Sequence, residues 1–134
     1  MKDKTIEEYC RLVYKFDRGE GVKSIDIAAT LKLSKNTVSS TLQKLLNNGY
    51  IRMDKYSPVR LTKKGERIAG RMNFRHRVIE TFLHEKLRLD KKEIHEEACR
   101  LEHAASDEMV EKLWKFLGKP KKDPHGEEIT NEKD

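Results

Sequence analysis

Apolar residues recur along this chain at helical spacing from near its beginning. Tyr9, Leu12, Val13 and Phe16 make one stripe, which predicts a helix over residues 5–18, with Thr5 and Glu8 spaced as a capping box. Cys10 falls beside the stripe and reads as a small core thiol. Gly19-Glu20-Gly21 interrupts the pattern. Ser24 is expected to cap a short helix over 25–31, with Ile25, Ile27, Ala28 and Leu31 apolar. Ser34 is expected to cap a third helix over 35–48, which buries Val38, Leu42, Leu45 and Leu46. The pair has the proportions of a helix-turn-helix. Two short alternating segments, 49–53 and 59–62, flank the polar stretch 54–58 and predict a β-hairpin placed as the wing of a winged helix.

From residue 63 the period is again helical. Ile68, Ala69, Met72, Phe74, Val78, Ile79, Phe82 and Leu83 spread over more than one stripe, so a long helix reaching about residue 87 should pack on several neighbours. Leu89-Asp90 precedes a helix over 91–105. Ser106 precedes a last one over 107–117, with Met109, Val110, Leu113, Trp114 and Leu117 apolar. Gly118, Pro120 and Pro124 end the regular pattern. Residues 119–134 are charged, poor in apolar groups and expected to be a mobile tail. The predicted class is mainly α with a small hairpin wing. A winged-helix domain over 1–62 is followed by a helical domain over 63–118 and a tail over 119–134.

Composition narrows the function classes. The 134 residues are 39% charged and 36% hydrophobic, with a net charge of +6. The charge suits a polyanion such as double-stranded DNA, but is weak evidence alone. Two cysteines are too few for a disulfide scaffold, and nothing indicates secretion. No apolar run approaches the roughly 20 residues of a membrane span. A cytoplasmic protein with no membrane association is the default expectation.

Two regions carry candidate chemistry. The open face of the third predicted helix offers Asn36, Thr37, Ser39, Ser40, Gln43 and Lys44, with Ser34 and Lys35 at its start. Short hydrogen-bonding side chains of this kind reach base edges and phosphates, whereas a plain solvated face more often carries Glu and Lys. Arg52, Lys55 and Arg60 on the wing are candidate phosphate contacts. The second region is His95-Glu96-Glu97-Ala98-Cys99-Arg100-Leu101-Glu102-His103. On a helix, His95, Cys99, Glu102 and His103 occupy neighbouring turns. Thiolate, carboxylate and imidazole are donors for borderline transition metals. An amphipathic helix with two histidines and a buried cysteine has the same pattern. Cys99 stands where a zincin would need its second histidine, which argues against a metalloprotease. His76 and Glu80 form an i,i+4 pair that is either a surface hydrogen bond or part of a metal site.

Taken together, these residues resemble the diphtheria toxin repressor family of metal-dependent regulators. The likeness covers residues 1 to about 128. It rests on the segment from Glu97 to Asp107, on His76-Arg77 with Glu80, and on Asp123-Pro124-His125-Gly126, which is similar to the family's Pro-His-Gly segment. The resemblance implies a primary metal site of Glu8, Cys99, Glu102 and His103, and an ancillary site of His76, Glu80 and His95. It also implies the short architecture, without the SH3-like domain that completes the ancillary site in longer members. Manganese-type members have carboxylates where this chain has Arg11 and Cys99. A thiolate favours Fe(II), with Mn(II), Co(II), Ni(II) or Zn(II) as alternatives.

The implied function is metal-dependent repression of metal-homeostasis genes by a homodimer on a pseudo-palindromic operator, with metal as co-repressor. Phe82, Leu83, Leu113, Trp114 and Leu117 are the expected dimer contact, unless they fill only the protomer's own core. Three alternatives remain at this level. One is a winged-helix regulator that senses no metal. Another is a structural metalloprotein or nonspecific DNA-coating protein. The last is a small metal hydrolase, which lacks a nucleophile motif and a Gly-rich phosphate loop, so the chain is not expected to be an enzyme.

Overall fold

A computed structural model describes residues 1–55 and 57–131. Tyr56, in the predicted hairpin turn, and residues 132–134, at the end of the predicted tail, lie outside the described residues. The chain divides into two compact units, Met1–Ala69 and Gly70–Asp134.

The first unit contains α1 (Asp3–Phe16), α2 (Ser24–Leu31), α3 (Lys35–Asn47), β1 (Ile51–Arg52), β2 (Arg60–Leu61) and the start of α4 (Lys63–Glu85). Tyr9, Leu12, Val13, Ile27, Val38, Leu42, Leu45, Ile51, Val59 and Leu61 join in one buried cluster. α2 and α3 form the expected helix-turn-helix, and the antiparallel strands form the expected wing, in register Ile51↔Leu61 and Arg52↔Arg60. Alternation puts Ile51 and Leu61 in the core and both arginines in solvent.

Local signals were only partly decisive. Ser34 caps α3, accepting from Thr37 N at 3.1 Å. Thr5 lies inside α1, which begins at Asp3 with no side-chain cap, and Ser24 is the first residue of α2 with Lys23 extended before it. What ends α1 is Asp17, whose Oδ1 accepts from Gly19 N and Gly21 N, both at 2.8 Å. Those amides hold the Asp17 carboxyl below its usual range. Gly65 lets the start of α4 approach the wing: a Cβ there would stand 2.2 Å from Tyr50 O. Cys10 is fully buried; burial, and then Glu7, push its thiol up to about 12, so it stays protonated and serves the core.

The second unit contains the rest of α4, α5 (Lys91–Leu101) and α6 (Asp107–Phe116). Two small clusters hold it together. Phe74, Val78, Val110, Trp114 and Ile129 form one, and Ile79, Leu83, Ile94 and Ala98 the other. Asp90 caps α5 and Ser106 caps α6. α5 ends at Leu101, earlier than its sequence pattern suggests, and residues 102–104 continue as a turn. The buried Arg75 guanidinium explains this: it donates to the carbonyls of Glu102 and Ala105 and to the Asp107 carboxylate.

Residues 119–131 correct the expectation of a mobile tail. Ile129 is buried against Trp114 and Phe74, Trp114 Nε1 donates to Pro120 O at 3.1 Å, and Asn131 Nδ2 donates to Glu111 at 2.9 Å. Asp123 Oδ1 accepts from His125 N and Glu127 N and folds the segment into a turn. One isoleucine and one aspartate anchor a charged stretch too irregular to show a period.

Candidate metal centre and DNA-binding surface

In the second unit the predicted ligands converge on His76. This side chain comes from α4 and is buried. Its Nε2 stands 3.0 Å from Glu80 Oε1, one turn on, and its Nδ1 stands 2.8 Å from Glu102 Oε2. Both carboxylates are only 2% exposed, so neither imidazole contact is the surface hydrogen bond that the i,i+4 spacing also allowed. His95, on α5, packs edge-on against His76 with ring centroids 4.9 Å apart. Cys99, a turn later and half-buried, places Sγ 3.7 Å from His95 Nε2. His103 Nε2 lies 3.7 Å from Glu102 Oε1.

The six predicted ligands of this unit therefore form one connected group, in which the expected ancillary residues His76, Glu80 and His95 lie together. His76, His95 and Cys99 bring one donor atom each within 4.8 Å of one another. Glu80 faces a second group, with Asp123 and His125. Glu80 Oε2 is buried without a hydrogen bond, and His125 Nδ1 stands 3.4 Å away. Burial raises the Glu80 pKa. The hydrogen bond from His76 and the charges of His76, His125 and His95 outweigh that and hold it below the usual range. A buried carboxylate oxygen left open beside an imidazole and a second carboxylate suits a cation. Asp123 and His125 are not among the predicted ligands: they lie in a turn, where no helical spacing links them to Glu80. Glu8 belongs to α1 in the first unit, where its Oε1 lies 3.9 Å from Lys4 Nζ.

In the first unit, Ser34, Lys35, Asn36, Thr37, Ser39, Ser40, Gln43 and Lys44 are all exposed, as are Arg52, Lys55 and Arg60. Ser34 and Thr37 also serve the helix cap, and Gln43 Nε2 donates to Asn47. Arg52 and Arg60 face each other across the wing. Like charges directly opposite destabilise a hairpin, and an anion such as phosphate relieves that cost.

The residues of the predicted dimer contact divide by burial within the protomer. Leu83 and Trp114 are buried in the protomer's own core, while Phe82, Leu113 and Leu117 are only partly covered. Phe116 and Met109 on α6 are 66% and 60% exposed, and Leu87 and Leu101 are exposed as well.

This arrangement is that of a two-part regulator, with a winged helix in one unit and a cluster of metal-type donors in the other. Residues 2–59 match the family model described as "Iron dependent repressor, N-terminal DNA binding domain". Residues 62–131 match "Iron dependent repressor, metal binding and dimerisation domain". The chain belongs to the iron-dependent repressor family. It is 37% identical over 117 residues to an uncharacterised HTH-type transcriptional regulator of Methanocaldococcus jannaschii, covering 86% of this chain and 94% of the relative. It is 35% identical over 127 residues to the iron-dependent repressor IdeR of Mycobacterium tuberculosis, covering 93% of this chain and 55% of that one. The solved structure of the manganese regulator SloR matches with a TM-score of 0.81 at 40% identity, covering 94% of this chain and 59% of that chain. The chain thus spans nearly the whole archaeal relative but little more than half of the other two. Among the described residues, no helix is long and apolar enough to cross a membrane.

Proposed function

We propose that this chain is a metal-responsive transcriptional repressor that binds double-stranded DNA as a homodimer, with a divalent transition ion as co-repressor. The observation that carries the reading is the buried run of carboxylate–imidazole contacts from Glu102 through His76 to Glu80, ending on an oxygen with no hydrogen bond. Such groups cost several kcal/mol to bury unless they are paired or hold a cation. The family's metal-binding model covers the same residues.

Glu8, Cys99, Glu102 and His103 are the proposed primary ligands. An ion held there supplies positive charge that offsets the Glu8 and Glu102 carboxylates. Glu8 is the residue through which the DNA-binding unit responds. The sulfur donor of Cys99 favours Fe(II). His76, Glu80 and His95 form the proposed ancillary set, with Asp123 and His125 beside Glu80. A manganese-responsive regulator is the second reading, favoured by the oxygen-rich Glu80–Asp123–His125 group.

On DNA, Asn36, Thr37, Ser39, Ser40, Gln43 and Lys44 read the major groove, and Arg52, Lys55 and Arg60 contact phosphate. A two-fold dimer implies a pseudo-palindromic operator with half-sites a helical turn or a multiple of it apart. The proposed dimer face joins Phe82, Leu113 and Leu117 to the exposed Met109 and Phe116.

The test is operator selection from random-sequence DNA with chelated protein and with protein loaded with Fe(II) or Mn(II). Enrichment of a two-fold sequence only with metal supports the reading. Equal enrichment in chelator, or failure of Cys99→Ala and Glu102→Ala to remove the metal response, contradicts it.

A further inference from the structure

The exposed side of α3 is not uniform. Asn36, Ser40, Gln43 and Asn47 succeed one another at intervals of four, three and four, the spacing that keeps side chains on one line of a helix. Val38, Leu42 and Leu45, two residues round from that line, are buried on the opposite side. The line therefore points furthest from the core. It holds three carboxamides and one hydroxyl, and α3 contains no acidic residue. Asparagine and serine weaken a solvated helix relative to Glu, Lys or Arg, so helix stability does not account for the choice.

We infer that Asn36 and Gln43 each read an adenine in the major groove, and that Asn47 positions Gln43 to do so. The inference rests on the proposed function for the DNA-binding role of α3. It goes beyond that reading in naming the base and the side chains that select it.

The hydrogen bonds already made decide which groups are left to read. Ser34 Oγ donates to Thr37 Oγ1 at 2.9 Å and accepts from Thr37 N at 3.1 Å, so both hydroxyls serve the start of the helix. Among the described residues, no partner engages the Asn36 carboxamide. Gln43 Nε2 donates one of its two N–H groups to Asn47 Oδ1 at 3.1 Å, one turn on. The second N–H and Oε1 remain.

A donor beside an acceptor matches adenine. Its major-groove edge offers N7 as acceptor and the N6 amino group as donor, and a carboxamide meets both at once. Guanine shows two acceptors there, cytosine a lone donor, and thymine a lone acceptor beside a methyl group, so none of them takes both bonds. The bond to Asn47 also restrains Gln43 before DNA arrives, which lowers the ordering cost of binding. Asn36 and Gln43 are separated by two helical turns, a rise of about 10 Å, or about three base-pair steps along the groove. Lys35 and Lys44 fall on either side of the line, where phosphates border the groove.

The test selects a site from random-sequence DNA with the Mn(II)-loaded chain. Binding is then measured to that site and to its single base-pair variants, for the unaltered chain, Asn36→Ala, Gln43→Ala, Asn47→Ala and Asn47→Asp. All three side chains are exposed, and circular dichroism verifies that the variants fold. The expected half-site contains two A·T pairs about three steps apart. Asn36→Ala abolishes discrimination at one and Gln43→Ala at the other, each a loss of about tenfold or more. Asn47→Ala weakens discrimination at the Gln43 position alone. Asn47→Asp keeps the acceptor and so keeps that discrimination, while its charge lowers affinity for every sequence. Asn36→Ala and Gln43→Ala variants that leave every base preference unchanged, or that change preference for a base other than adenine, overturn the inference and leave the proposed function standing. An Asn47→Ala variant with unchanged preferences overturns the positioning role. If the unaltered Mn(II)-loaded chain selects no sequence, the inference and the proposed function fall together.

Discussion

Replacing Arg75 with methionine tests whether one buried cation holds the segment that carries Glu102 and His103. The substitution keeps an unbranched apolar stem and removes the guanidinium. Two carbonyls, Glu102 O and Ala105 O, lose their donor. A buried carbonyl without a partner costs about 1–3 kcal/mol. The Asp107 carboxylate is 43% exposed and keeps Arg71 at 3.7 Å, so that ion pair adds only about 0–1 kcal/mol after solvent screening. Relief from burying the Arg75 charge offsets part of the loss. The net destabilisation expected is about 2–4 kcal/mol, a large share of a typical total of about 5–15 kcal/mol. At about 2–4 °C per kcal/mol, the melting temperature of the metal-free chain should fall by about 5–15 °C. Thermal melts followed by circular dichroism measure this. Arg75→Lys, with a point charge in place of the planar fork, should fall in between. A melting temperature within about 2 °C of the unaltered chain would refute the assignment, because one buried and one part-buried carbonyl that lose a shared guanidinium donor cost more than that.

Three smaller predictions follow from other contacts. Ile129→Ala should cost about 2–4 kcal/mol and expose residues 119–131 to limited proteolysis, since that side chain anchors the segment to Trp114 and Phe74. Ser34→Ala should lower stability by about 1 kcal/mol in thermal melts, through loss of the α3 cap. The Asp17 carboxyl, held low by the Gly21 and Gly19 amides, should titrate by NMR below the unfolded value of about 3.9. Its folded-state pKa is depressed, so its contribution to stability is present above the unfolded pKa and disappears as pH falls through the folded one. Asp17→Asn should remove that part of the acid sensitivity.

The features legible in the sequence were those set by short-range chemistry. The helix-turn-helix followed from the spacing of Val38, Leu42 and Leu45 and from the Ser34 cap, and the wing from strict alternation around Ile51 and Leu61. His76 and Glu80 share a face at a fixed helical interval, so their pairing was visible as an option. Features set by distant partners were not legible. α5 stops at Leu101 because Arg75, far off in sequence, takes carbonyls from the following turn. The turn that brings His125 to Glu80 depends on Asp123 accepting two backbone amides, a signal too small to stand out in a charged stretch. The apolar stripe of α6 is wider than one neighbour can cover. Trp114 therefore went to the protomer's core, while Phe116 and Met109 stayed outside.

Thermodynamic linkage gives the most direct test of the central claim, that one ion is felt by both units. If metal strengthens operator binding by some factor, operator must strengthen metal binding by the same factor. Calorimetric titration of Mn(II) into the chain, with and without selected operator DNA, measures it. The account predicts tighter Mn(II) binding in the presence of operator, with the difference abolished in Glu8→Gln. Equal Mn(II) affinity with and without operator, or a difference that survives Glu8→Gln, would contradict it.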